Sequence, residues 1–453
     1  MDSSLVAKYN VAAPRYTSYP TVPYWDKKEF DTVQWKEKVM ATFAASNTEQ
    51  GISLYIHLPY CESLCTYCGC NTRITVNHKV EEPYLEAVLK EWKMYHELFK
   101  EKPLIREIHL GGGTPTFFSA ANLVKLIEGI RKDSAIHPDF EFGFEAHPGN
   151  TETSHLKALF DQGFRRVSFG IQDFDPAVQD VINRYQTYEQ VKQITEEARA
   201  MGYTSVNYDL IYGLPLQKLA SVVDTIEKVK QLRPDRIAFY SYAHVPWIKP
   251  GQRKFTELDL PDGETKRELY EKGRQLLEEA GYAEIGMDHF ALKSDSLFTA
   301  ANNGTLHRNF MGYTTTGTKL LVGLGVSSIS DSWNAFAQNV KVVEDYLHLV
   351  NSNTLPVYRG HFLTEEDLIL RKHILNLMCR MITSWSQAGE QCEGLYRGIE
   401  RMKPLEADAL VRLQPFEIHV TEKGKSFLRN ICMALDERLW QDQPSTAIFS
   451  TTA

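Results

Sequence analysis

Gly51–Cys70 reads GISLYIHLPYCESLCTYCGC, an apolar run of strand character followed by four cysteines within ten residues. The chain has seven cysteines in all, and the other three lie scattered in its C-terminal hundred residues. Cys61, Cys65 and Cys68 form a CxxxCxxC triplet on a loop leaving a strand. Thiolate sites of this kind hold zinc or iron–sulfur clusters. No second CxxC knuckle or histidine pair follows at zinc-finger spacing. Three thiolates can hold three irons of a cubane 4Fe–4S cluster and leave the fourth iron open. On spacing alone, a zinc knuckle or a redox dithiol competes with that reading. Cys70 stands too near Cys68 along the loop to reach the same cubane comfortably.

Beyond the loop, strand-like and helix-like stretches alternate. SLYIHL (53–58), EIHLGG (107–112), FGFEAH (142–147), RVSFGIQ (166–172), SVNYDLIYG (205–213) and RIAFYSYA (236–243) have strand character. Helical patterns separate them, such as those from Glu81 and Ser119, and Gly163 and Gly202 mark helix ends. This alternation predicts an α/β fold with a parallel sheet, a partial (β/α)6 barrel. Chemistry in such folds gathers at the C-terminal ends of the strands. The cysteine loop, Gly111–Gly113, Glu145, Gln172 and Asp209 all fall there. Glycines at such a place let backbone approach a ligand closely.

The organisation expected is an arm and helix over 1–50, the barrel over 51–250, a barrel-completing region over 251–355, and a mainly helical cap over 356–453. In the arm, PRYTSYPTVPYW reads as extended and irregular, with an amphipathic helix from Val33. The last part of the cap reads as strand, turn at Lys423–Gly424 and helix, a small winged-helix-like module.

A hydrophobic content of 43% and a charged content of 24% are ordinary for a soluble protein. MDSSLVAKYN has no apolar core of signal-peptide type, and no run is long enough to span a bilayer. A cytoplasmic location without a membrane partner is expected, which also suits free thiols. The net charge of -8, from 50 Lys plus Arg against 58 Asp plus Glu, argues against a nucleic-acid footprint. An anionic small substrate would need local basic residues.

CxxxCxxC after a strand, followed by HLGGGTPT (109–116), resembles the radical S-adenosylmethionine (SAM) superfamily. Longer matches resemble one of its families, the oxygen-independent coproporphyrinogen III oxidases, or coproporphyrinogen dehydrogenases. They are PRYTSYPT (14–21), CGC (68–70), GIQDFD (170–175), NYDLIYGLP (207–215), MDHFA (287–291), LHRNF (306–310), GYTT (312–315) and NICMALDERL (430–439). The resemblance runs from about residue 9 into the C-terminal region.

What the resemblance implies is a 4Fe–4S cluster on Cys61, Cys65 and Cys68, and two molecules of SAM. Gly111, Gly112, Gly113 and Thr114 would hold the amino acid part of the first, with Glu145, Gln172, Arg184 and Asp209 around it. Arg184 would pair with the SAM carboxylate, and Tyr55 would orient the sulfonium. Ala243 and Ile329 match adenine-contacting positions, and Phe310–Thr314 a second SAM site. Cys70 marks this enzyme class and is a candidate catalytic residue, either a substrate-side thiol or a packed small side chain. On the residues alone, Tyr55, Ala243 and Ile329 read equally as core.

The implied reaction begins with one electron passing from the reduced cluster to SAM, which yields methionine and a 5′-deoxyadenosyl radical. The radical takes a hydrogen from the β-carbon of a propionate. Loss of CO2 and one further electron leaves a vinyl. Repetition on a second ring turns coproporphyrinogen III into protoporphyrinogen IX. A reductase or a flavodoxin- or ferredoxin-type protein would supply electrons, and similarity points to a monomer. Arg15, Arg253, Lys254 and Arg308 are candidates for the substrate's carboxylates, since guanidinium forks suit them.

The chain departs from the family pattern at His147-Pro148-Gly149, where Asp-Pro-Arg is expected, and at Met311 and Thr316, where glutamines are expected. RMITSW (380–385) also replaces an Asn-Phe pattern. Two other readings stand beside the first: a related radical SAM haem chaperone or other radical SAM enzyme, and a non-catalytic zinc-binding interaction protein.

Overall fold

The computed structural model describes residues 3–26, 30–247, 249–443 and 449. All six expected strands form: β1 (Ile52–Leu58), β2 (Leu104–Gly112), β3 (Ala135–Ala146), β4 (Arg166–Gln172), β5 (Ser205–Tyr212) and β6 (Arg236–Ser241). They lie side by side, parallel and in chain order. Helices cross between them, including Glu81–His96, Ala120–Arg131, Thr153–Asp161, Tyr188–Met201 and Leu219–Leu232. All seven residues of β1 are buried, because helices cover one face and the barrel interior the other.

The local chemistry accounts for the element ends. Thr187 Oγ1 accepts from Gln190 N at 3.1 Å, and Gln190 Oε1 accepts from Thr187 N at 2.9 Å, closing a capping box. The helix it starts ends at Gly202, whose φ of 102° is open to glycine at little cost. Asp31 caps the helix Thr32–Gln50, accepting from Val33 N at 2.9 Å and Gln34 N at 3.0 Å.

The region after β6 extends both edges of the sheet. Tyr282–Gly286 and His289–Leu292 add antiparallel strands beside β6, while Leu321–Leu324 pairs parallel with β1. Ile329–Asp331, Ala335–Asn339 and Val357–Phe362 continue antiparallel from there, giving a 12-stranded sheet. Its last strand lies beyond the expected domain boundary at 355/356. The two ends of the sheet do not pair with each other, so strands do not close the barrel. A hairpin, His307–Asn309 with Gly312–Thr314, projects into the interior instead. Phe310 meets Tyr55 edge-on at 4.9 Å, and Thr314 Oγ1 donates to Glu107 at 3.2 Å.

The C-terminal region joins helices Glu365–Arg380, Glu393–Ala407 and Leu428–Ala434 to a three-stranded sheet. The expected strand FEIHV is its central member, Glu417–Val420. Its neighbours Ile382–Ser384 and Val411–Gln414 were not legible from so few residues. The N-terminal arm begins with a helix, Ser3–Tyr9, and the stretch 14–25 that follows is irregular, as expected, apart from the short turn Val22–Tyr24. That helix rests on the C-terminal region through Lys8–Asp408 at 2.5 Å.

Candidate active site

Parallel register brings the strand ends together. Tyr55 lies opposite His109 and His57 opposite Gly111 on β1 and β2. Glu145 lies opposite Ser168, and Gly170 opposite Asp209, across β3, β4 and β5. Alternate residues share a face, so one interior row collects these side chains. Glu145, Ser168, Gly170 and Asp209 line a cavity of about 290 Å³ together with the cysteine loop.

The loop is held from beneath by the glycine run. Gly113 N donates to Leu58 O at 2.8 Å and Thr114 N to Tyr60 O at 3.0 Å. A Cβ on Gly113 would stand 2.6 Å from Pro59 O, and one on Gly112, at φ 116°, 2.8 Å from the His57 ring. A Cβ on Gly111 would meet Glu145 Oε1 at 2.9 Å and the Tyr55 ring at 3.0 Å. The glycines therefore serve the packing of the chain on itself as well as any ligand. His57 Nε2 lies 2.8 Å from Asn71 O, a carbonyl that can only accept, so Nε2 carries the proton. Nδ1 then accepts from the Tyr55 hydroxyl at 3.1 Å. Burial lowers the pKa of His57, consistent with this neutral ring.

Cys61, Cys65 and Cys68 stand around the cavity rim. Cys61 Sγ is 3.3 Å from Thr114 Oγ1, and Cys65 Sγ accepts from Arg184 Nη1 at 3.6 Å. The backbone N–H of exposed Cys70 donates to Cys68 Sγ at 3.4 Å, and Lys249 Nζ donates to Cys70 O at 3.2 Å. Burial pushes the Cys61 thiol up to about 11, whereas hydrogen bonding from Cys70 pulls Cys68 down to about 6. Among the described residues no three His, Cys, Asp or Glu side chains close around a point for one metal ion.

The opposite wall is polar. Burial works to raise the Glu145 pKa, but His109 Nε2 at 3.4 Å and Gly112 N at 3.3 Å outweigh it and hold the carboxyl below its ordinary value. Asp209 accepts from Ser168 Oγ at 2.9 Å and Asn207 Nδ2 at 2.9 Å. Burial, then the charge of Glu145, raises it to about 6. Arg184 Nε donates to Gly170 O at 3.1 Å. Gln172, 7% exposed and at φ 66°, has an Oε1 with no partner among the described residues. A buried orphan acceptor on a cavity wall fits a polar ligand. His147 takes up the first departure: its Nδ1 accepts from Gly149 N at 3.0 Å and caps the turn Pro148–Asn150.

Of the residues singled out in the sequence, Cys61, Cys65, Cys68, Cys70, Gly112, Gly113, Thr114, Glu145, Gln172, Arg184 and Asp209 line this cavity. Tyr55 and Gly111 lie behind it, packed on each other. Ala243 and Ile329 do not line it; Ala243 O accepts from Gln252 Nε2 at 3.2 Å, and Ile329 pairs with Gln338. His57, His109, Ser168 and Asn207 were missed, although their two-residue spacing from Tyr55, Gly111, Gly170 and Asp209 places them on the same faces. The donor set suits the implied cofactors: thiols of one loop for a cluster, and carboxylates, amide and guanidinium for a zwitterionic nucleoside.

Residues 55–229 match the radical SAM superfamily. The chain is 38% identical over 446 residues to the oxygen-independent coproporphyrinogen III oxidase of Salmonella typhimurium, covering 97% of this chain and 96% of that protein. The enzyme of the same name from Synechocystis is 36% identical over 457 residues, covering 99% and 97%. Among solved structures, the coproporphyrinogen III oxidase HemN of Escherichia coli, described as a radical SAM enzyme, superposes with a TM-score of 0.89 at 36% identity. It covers 96% of this chain and 98% of that one.

Proposed function

This chain belongs to the oxygen-independent coproporphyrinogen III oxidases of the radical SAM superfamily, and we propose that it converts two propionates of coproporphyrinogen III to vinyls, giving protoporphyrinogen IX. The observation that carries this reading is the opening of three loop thiols and the strand-end row of Glu145, Gln172, Arg184 and Asp209 onto one cavity. That cavity lies in a chain matched over nearly its whole length by enzymes of that name. The 4Fe–4S cluster and two SAM molecules, when bound, supply one-electron, hydrogen-abstracting chemistry.

The residues of the chain bind and orient. Cys61, Cys65 and Cys68 would hold the cluster. Glu145, already accepting from Gly112 N, is placed to accept from an ammonium group. Arg184 offers a guanidinium for a carboxylate, and Gln172 Oε1 and Asp209 offer acceptors for ribose hydroxyls. Tyr55, donating to His57, stiffens the floor beneath them. Phe310, resting on Tyr55, brings the hairpin to the same floor, and Phe310–Thr314 would hold part of the second SAM.

A reductase or a flavodoxin- or ferredoxin-type protein supplies the electrons, and the protein works as a cytoplasmic monomer without a nucleic-acid or membrane partner. No helix among the described residues is long and apolar enough to cross a membrane. The test is anaerobic reconstitution, followed by incubation with SAM, a reductant and coproporphyrinogen III. Protoporphyrinogen IX and deoxyadenosine are expected together; deoxyadenosine without protoporphyrinogen overturns the reading.

A further inference from the structure

The interior hairpin buries a guanidinium with too few partners for its charge. Arg308 is 7% exposed. Its Nη2 donates to Arg15 O at 3.3 Å, and its guanidinium carbon lies 4.5 Å from the centre of the Tyr313 ring. Nε and Nη1 meet no acceptor among the described residues. The nearby carboxylate of Asp288 is engaged by Arg15 at 3.2 Å. His289 packs edge-on to Tyr313 at 5.2 Å, and its shielded Nδ1 is likewise without a partner. Burial, then the charges of Arg308 and Arg15, push this imidazole down to about 3. The place is positive and unsatisfied.

Removing a cation from water without a counter-charge costs several kcal/mol in a folded protein. A cation–π contact and one carbonyl do not offset that. The site borders the cavity through one side chain. Tyr240 lines the cavity, and its hydroxyl is 3.5 Å from His289 Nε2. The two basic side chains thus begin one side chain behind the cavity wall, under the N-terminal arm that carries Arg15.

We propose that Arg308, with His289 beside it, receives a carboxylate of a bound organic acid, through the Nε or the Nη1 donor that the protein leaves unpaired. Nε and Nη1 head different edges of the guanidinium, so a carboxylate takes one of them together with the hydrogen that Nη2 does not give to Arg15 O, forming two parallel hydrogen bonds. Two sources supply that group here: a propionate of the tetracarboxylate substrate, and the amino acid end of SAM. The inference rests on the function proposed above, and its test separates the two.

Arg308→Met and Arg308→Lys are compared with wild type by melting of the cluster-free protein, iron content after reconstitution, and binding of SAM and of coproporphyrin. A carboxylate receptor predicts that Arg308→Met melts higher than wild type, since an unpaired buried cation is removed. It also predicts unchanged iron and at least about a 10-fold loss of affinity, the ratio set by about 1.4 kcal/mol. Loss for coproporphyrin alone assigns a propionate, and loss for SAM alone assigns the amino acid carboxylate. Coproporphyrin tetramethyl ester should bind wild type and variant alike if a propionate is the partner. A structural role for Arg308 predicts the reverse: a lower melting temperature and unchanged affinities. Either finding overturns the proposal. If wild type binds SAM but no porphyrin, the reading of function fails, while the SAM arm still reports on Arg308.

Discussion

At the scale of the residue, Gly112 shows how little freedom the site has. It holds φ at 116°, with the His57 ring 2.8 Å from where a Cβ would be. We expect Gly112→Ala to cost roughly 1–3 kcal/mol, read by urea unfolding of the cluster-free protein. Iron retention should also fall, because displacing His57 loosens its hold on Asn71 O. Cys65→Ala should abolish the iron centre, whereas Cys70→Ala should keep it, since the backbone N–H of Cys70 that donates to Cys68 Sγ survives the substitution. Iron assay after anaerobic reconstitution checks both. Asp209 carries a pH signature. Its folded pKa, raised by burial to about 6, exceeds its unfolded value, so the folded state holds the proton more tightly. Its contribution to stability is therefore largest below the ordinary carboxylate pKa. That contribution declines as pH rises toward 6 and is flat beyond. Unfolding of wild type and Asp209→Asn from pH 4.5 to 7.5 should show that slope in their difference.

At the scale of the element, a buried polar knot ties the helix Glu81–His96 to the sheet beyond β1. Glu91 accepts from Gly325 N at 2.8 Å, Tyr346 Oη at 2.7 Å and Asn339 Nδ2 at 2.7 Å, with no solvent exposure. Burial lifts its pKa to about 7. The three donors come from a turn, a helix and a strand distant in sequence, so this carboxylate locates the strands that flank β1. Glu91→Ala takes the partner from Gly325 N and Tyr346 Oη, while Asn339 Nδ2 keeps Gly325 O at 2.8 Å and Ser328 Oγ at 3.1 Å. At about 1–3 kcal/mol per orphaned group, the substitution should destabilise more than any exposed substitution on that helix. Denaturant titration at pH 8 reads the difference.

At the scale of the whole molecule, the arm and the C-terminal region share one core with the interior hairpin. Tyr16, Tyr19, Ile285, Tyr313, Leu377 and Ile431 belong to the same buried cluster. Tyr16, 4% exposed, donates to Asp436 Oδ2 at 3.0 Å. Loss of a large buried aromatic typically costs about 3–5 kcal/mol. Tyr16→Ala should therefore release the arm locally while the barrel stays folded. Limited proteolysis should then cut early near residues 9–21, with the near-ultraviolet signal of the barrel retained.

The sequence by itself determined the six strands, their parallel order, the cysteine loop and the polar row at the strand ends. Those rest on local causes: alternation with period two, helix caps, glycine at helix ends, and cysteine spacing. Capping at Thr187 and termination at Gly202 needed nothing beyond their neighbours. Only the tertiary structure decided how the sheet's edges are built, because Leu321–Leu324 joins β1 across more than 250 residues of chain. The same holds for the interior side chains. Tyr55 in a wholly buried strand could face helices or cavity, and the register against His109 settled it. Arg308 stood in the sequence as one of four basic candidates for the substrate's carboxylates; its isolation exists only because the fold buries it with Nε and Nη1 meeting no acceptor among the described residues.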